Sequence, residues 1–122
     1  MAFIDPKFPG VAYGMGVITE DGKAGQFVKL SGQNQFSLNG DPAVRSFGVL
    51  YKDAKAGELC TAFTCGGIYE TDNFTGTVNP GDSLKVDATN KNLVGGGLNP
   101  SDVAVAQAVS VQSGILRFKL LI

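Results

Sequence analysis

The clearest alternation of apolar and polar positions lies near the end of the chain. Valines stand at 103, 105, 109 and 111, with alanines at 104, 106 and 108 between them. A period of two is that of a strand, whose successive side chains point to opposite faces. One face of this run is β-branched and the other is small, so a neighbour can pack closely against it. After Ser113-Gly114 the alternation resumes, with Leu116, Phe118, Leu120 and Ile122 on one side and Arg117 and Lys119 on the other. Two such runs joined by a short glycine-containing turn predict a hairpin. A run ending this apolar is expected to close a sheet or barrel rather than fray in water.

The rest of the chain reads as short strands between turn signals. Strands are predicted at Gln26–Leu30, Gln35–Leu38 and Ser46–Tyr51. Glu58–Cys65 and Ile68–Glu70 follow, separated by Gly66-Gly67, which permits a bulge or a corner. Further strands are expected at Phe74–Val78, at Ser83–Asp87 with Leu84 and Val86 inward, and briefly at Leu93-Val94. Asn39-Gly40-Asp41-Pro42 reads as a turn in which Asn-Gly supplies positive φ, and Asn79-Pro80-Gly81-Asp82 as a type II turn. In Ala88–Asn92 the asparagines are the residues suited to a left-handed conformation. The predicted class is therefore all-β, a small barrel or a two-sheet sandwich of short strands.

Residues 1–22 stand apart from this pattern. Phe3, Ile4, Phe8, Val11, Tyr13, Met15 and Val17 fit neither helical nor strand spacing, and prolines and glycines break them up. The segment reads as an extended N-terminal arm in front of a single domain spanning 23–122. Such an arm needs a surface, either its own domain or a neighbouring subunit. On the second reading Phe3, Ile4, Phe8, Val11, Tyr13 and Met15 are the candidate partner-binding residues.

Composition narrows the function classes. The 122 residues carry 17 glycines, 43% hydrophobic residues and only 17% charged ones, which suits many short strands. A formal net charge of −1 leaves no basic footprint for nucleic acid and no polybasic membrane patch. No window has the length of an apolar membrane span, and the opening residues lack the pattern of a secretory signal, so synthesis in the cytoplasm is expected. Cys60 and Cys65, the two cysteines, are spaced so that they face opposite sides of a straight strand; they read as small apolar fillers rather than a disulfide.

Candidate chemistry is sparse. The chain has no histidine, hence no Ser-His arrangement, and too few soft ligands for zinc. Gly95-Gly96-Gly97 leads to Asn99-Pro100, not to a helix start, so it is no phosphate cradle. Glu58, Glu70, Asp72, Asp82 and Asp87 could hide a glycosidase-like pair, but their turn-adjacent placement fits solvated turns and edges. Asp82 and Asp87 match no EF-hand spacing. Asn73-Phe74-Thr75 fits a glycosylation sequon and, without a secretory signal, reads as chance. No catalytic, cofactor-binding or metal-binding residue is expected, and the chain does not read as an enzyme.

The order of elements after residue 46 carries a resemblance. A Pro-Gly-Asp turn precedes Ser83–Asp87, a Thr-Asn-Lys-Asn hairpin returns through Leu93-Val94, and a small-residue strand, a Ser-Gly turn and Ile115–Leu120 follow. This resembles the small β-barrel cement, or decoration, proteins of tailed-bacteriophage heads. The resemblance implies a structural virion protein on the capsid exterior. It would be made in the host cytoplasm and bind neighbouring major capsid proteins, commonly as a homotrimer, without cofactor, nucleic acid or membrane. Extended N-terminal segments often make the shell contacts in that family, which would give residues 1–22 that task, with Phe3, Phe8 and Tyr13 as anchors, since buried aromatics tend to dominate interface energy. A carbohydrate-binding or adhesin-like sandwich, and a phage tail or fibre component, share the β-rich pattern. The absence of tryptophan weighs against sugar stacking.

Overall fold

A computed structural model describes residues 2–122. Its longest strand, β1 (Ile4–Ile18), lies antiparallel to the next longest, β5 (Leu59–Thr71), from Ile4 opposite Thr71 to Val17 opposite Leu59. Residues 1–22, read as an arm, thus include a strand hydrogen-bonded along its own chain. The ladder shifts register between Pro6 and Phe8, between Val11 and Ala12, and between Tyr13 and Gly16. The first and third shifts put an extra residue on β1 and displace the side chains that follow, so the apolar spacing of this segment fits no single period; the second puts its extra residue, Thr64, on β5.

The remaining strands are β2 (Phe27–Gly32), β3 (Gln35–Leu38), β4 (Gly48–Leu50), β6 (Phe74–Thr75), β7 (Ser83–Val86), β8 (Leu93–Val94), β9 (Ala106–Gln112) and β10 (Ile115–Leu120). The described residues contain no helix, and the fold is all-β. Strand β1 pairs parallel with β3 at Val17 and Ile18; β3 pairs with β2, β2 with β4, β4 with β5, and β5 returns to β1. These five strands close into a small barrel. The second half of β5 then carries a lateral sheet in the order β10, β9, β7, β8, β6.

Two apolar cores follow from this layout. Inside the ring lie Ile18, Val28, Phe36, Leu38, Leu50, Cys60 and Ala62, drawn from all five ring strands. The other core packs Phe27, Val49, Phe63 and Tyr69 from the ring against Leu84, Val86, Leu93, Leu116, Phe118 and Leu120 of the lateral sheet. Short β4 is buried on both faces, with Val49 in one core and Leu50 in the other. Strand β1 serves both, through Ile4 and Ile18. Tyr51, Phe63, Tyr69 and Phe118 form a chain of rings, with successive centroids 5.2, 4.6 and 5.7 Å apart. Such aromatic pairs add to the simple burial of area.

Several elements depart from the sequence expectation. Glu58–Cys65 and Ile68–Glu70 are one strand, because Gly66 and Gly67 take positive φ (62° and 98°) without breaking the ladder to β1. At this irregularity β5 exchanges its other neighbour: Phe63 faces Val49 of β4, whereas Tyr69 faces Phe118 of β10. Strand β6 is shorter than predicted. Neither Asn39 nor Gly40 adopts positive φ; Asn39 is fully buried and its side-chain amide instead donates to the Val44 carbonyl and Ser46 Oγ. In the 88–92 turn the left-handed residue is Lys91 (φ 58°), not an asparagine. Gly81 has φ 89°, and the Asp82 amide donates to the Asn79 carbonyl, as a type II turn requires.

Candidate interaction surface

The bulges of β1 divide the residues singled out as anchors. Ile4 is buried in the lateral core, only 6% exposed. Tyr13 turns inward, its ring 6.2 Å from Phe36 and 5.7 Å from Phe47, and its hydroxyl donates to Asn34 Oδ1. Phe3 is half-buried and tied by its backbone: its amide donates to Asp72 Oδ1 at 2.9 Å and its carbonyl accepts from Thr71 Oγ1 at 2.6 Å. Phe8, Val11 and Met15 stay outside, 71%, 61% and 67% exposed. Of the six, these three present apolar surface to solvent, while Ile4 and Tyr13 hold the strand in place.

A second apolar feature lies where β4 and β10 diverge along β5. It is an open cleft of about 550 Å³ lined by the apolar Leu30, Val44, Phe47 and Ile122 together with Thr64, Lys29, Arg45 and Ser46. Leu30 is 54% exposed. Thr64 connects this cleft to β1, since its Oγ1 donates to the Val11 carbonyl at 3.2 Å. Tyr13, packed on Phe47, makes a second connection. The cleft and the exposed side of β1 therefore adjoin at one end of the barrel. The sequence pattern did not single out Leu30, Val44 or the exposed Leu59, because each sits in or beside a strand-like run where an inward position is equally expected.

The polar groups serve local structure. Asp82 and Asp87 accept from the backbone amides of Asn79 and Asn90, Glu58 from Lys55, and Asp72 from Phe3. Glu70 pairs with Arg117 at 2.8 Å and with Lys7 at 3.6 Å. The Lys7 ammonium is held above its ordinary range first by its hydrogen bond to Asp5, then by the charges of Asp5 and Glu70. Lys85 meets Asp102 at 2.8 Å. That hydrogen bond, followed by one from the Asn99 amide, holds the Asp102 carboxyl below the usual carboxylate range. No group of three or more potential metal ligands occurs among the described residues, and no helix there is long and apolar enough to cross a membrane.

Both cysteines are free. Cys60 is the apolar filler expected, and burial pushes its thiol pKa up. Cys65 is exposed instead, beside the irregularity at Gly66-Gly67. Asn73 of the sequon uses its side-chain amide nitrogen on the Ala24 carbonyl and its side-chain oxygen on the Asn92 amide group.

These elements define an all-β domain: a closed five-strand ring, a lateral sheet, and an apolar surface at one end of the ring. A solved structure shares this fold, the head fiber gp8.5 N base of bacteriophage phi29, with a TM-score of 0.62 over 90% of this chain and 92% of that one. The two sequences are 16% identical, so the likeness is one of fold. Neither a protein-family model nor a curated protein matches the sequence.

Proposed function

We propose that the protein is a structural component of a bacteriophage virion, a β-barrel base seated on the outside of the head. The observation that carries this reading is the fold likeness to a head fiber base along nearly the full length of both chains. The order of strands and turns in the second half of the sequence, which resembles head cement proteins, supports it independently. On this reading the apolar end of the barrel, with Phe8, Val11 and Met15 on β1 and Leu30 and Phe47 in the cleft, lies against major capsid proteins. The molecule works by covering surface, so it needs rigidity and contact area and no reactive group. Binding across neighbouring capsid subunits would give it the action of a cement protein. A homotrimer would multiply a weak single contact on a repeating lattice.

Co-sedimentation with expanded capsids of the phage whose genome carries this gene tests the proposal. Saturable binding is expected, with a trimer in analytical ultracentrifugation of the free or capsid-released protein. The triple variant Phe8→Ser, Val11→Ser, Met15→Ser should remain folded and bind at least about tenfold more weakly, a loss of roughly 1.4 kcal/mol. A protein that ignores expanded capsids but binds glycans on an array would be a carbohydrate-binding sandwich instead.

A further inference from the structure

The two edges of β1 are not equivalent. One is paired with β5 from Ile4 to Val17. The other meets a strand only at Val17 and Ile18, where β3 joins it. Between these points the outer edge has no partner strand among the described residues. Unpaired strand edges invite further pairing, and proteins usually blunt them with proline or lysine. Here the blunting is confined to the first half, where Pro6, Lys7 and Pro9 stand. From Gly10 to Gly16 the edge carries no proline and no charge.

We infer that the open part of this edge, Val11 to Met15, accepts an extended, uncharged peptide segment of the shell protein as an added strand; the flanking Gly10 amide is taken by the Tyr69 hydroxyl and Gly16 is buried. The inference rests on the proposed function for the identity of the partner, and on the edge for its chemistry. Backbone amides and carbonyls at strand spacing are complemented by another extended backbone, the mode in which main-chain bonds supply affinity and alternate side chains supply specificity. Ala12 and Gly14 are small and exposed, so little side chain overhangs the edge, whereas the missing Cβ of Gly10 makes room for the β5 backbone. Val11 and Met15, 61% and 67% exposed, supply the apolar contacts beside the added strand. With no charge in the stretch, a charged partner segment would lose hydration without gaining an ion pair. A second copy of β1 is a poorer match, because the extra residue that β1 carries between Tyr13 and Gly16 would be met by another on an equally rigid strand. A flexible segment adapts to it.

Hydrogen–deuterium exchange of the protein alone and pelleted on expanded capsids tests the inference. The amides between Val11 and Met15 that face away from β5 should exchange at least about tenfold more slowly on the capsid, as newly bonded amides do, while those already bonded to β5 change little. Ala12→Lys, which places a blunting charge on the edge, should weaken capsid binding with little change in melting temperature. Binding to capsids with the outward amides of residues 11–15 exchanging as in the free protein would overturn the inference and leave the proposed function standing. Failure to bind capsids at all would remove both. Protection of the outward amides of residues 11–15 in the capsid-free protein, appearing with a concentration-dependent oligomer, would assign the edge to a second copy and overturn the inference as well.

Discussion

Single residues of β1 show how closely the strand is fitted to the ring. Gly16 is buried, and a Cβ built there would collide with the Phe36 ring, which is itself fully buried. Gly16→Ala should therefore destabilise the protein by about 1–3 kcal/mol, the usual cost of overpacking, as read by urea denaturation. A second residue-scale effect concerns Asp102. Its folded pKa lies below its ordinary value of 3.8 because Lys85 hydrogen-bonds to it. The tie therefore stabilises the fold above that value, and the contribution is lost as pH falls through the lower folded pKa. Lys85→Met should raise the Asp102 pKa and move the onset of acid unfolding to higher pH, a shift that circular dichroism during an acid titration would measure. Wild-type behaviour in that variant would show the pair to be without thermodynamic effect.

At the scale of elements, the β9–β10 hairpin is the most directly encoded. Gln112 pairs with Ile115, and the two residues between them, Ser113 and Gly114, have φ of 52° and 76°. Two positive φ angles in a two-residue loop match a type I′ turn, for which Asn-Gly is preferred. Ser113→Asn should stabilise the protein by up to about 1 kcal/mol, since asparagine tolerates the left-handed region better than serine. Thermal denaturation checks this, and a lowered melting temperature would show that the serine is needed for another reason. The strands β7 and β10 were legible for the same local reason. Leu84 and Val86, and Leu116, Phe118 and Leu120, are buried as their period of two requires. On β9 the alanines 106 and 108 are the buried set, while Val109 is 44% exposed. Val105 and Val111 pack on the same core, because the ladder to β10 skips Val109 and this bulge changes the facing of the residues on either side of it.

The whole molecule depends on β1 in a way its composition does not announce. The strand forms one wall of the closed ring and sends Ile4 and Ile18 into separate cores. Removing residues 1–22 should therefore abolish cooperative unfolding, because β3 and β5 lose their shared neighbour and the ring core opens to water. Loss of dispersed amide resonances in an NMR spectrum is the expected result. A cooperative, folded remainder would mean that the ring closes without β1. Of the six residues read as partner anchors, Ile4 and Tyr13 are inward and Phe8, Val11 and Met15 outward. No period in the sequence separates the two sets, because register shifts set the facing of each side chain.

The amino-acid sequence by itself determined the all-β class, the positions of the turns and the inward faces of the regular strands. Those follow from alternation and turn chemistry within a few neighbouring residues. Only the tertiary structure decided that β1 closes a ring, that β5 passes unbroken through Gly66-Gly67 while exchanging β4 for β10, and that an apolar cleft opens where those two part. Such features arise from pairings between residues some fifty positions apart along the chain, such as Ala12 with Phe63. A bulge can shift which face a residue occupies without leaving a mark in the local pattern.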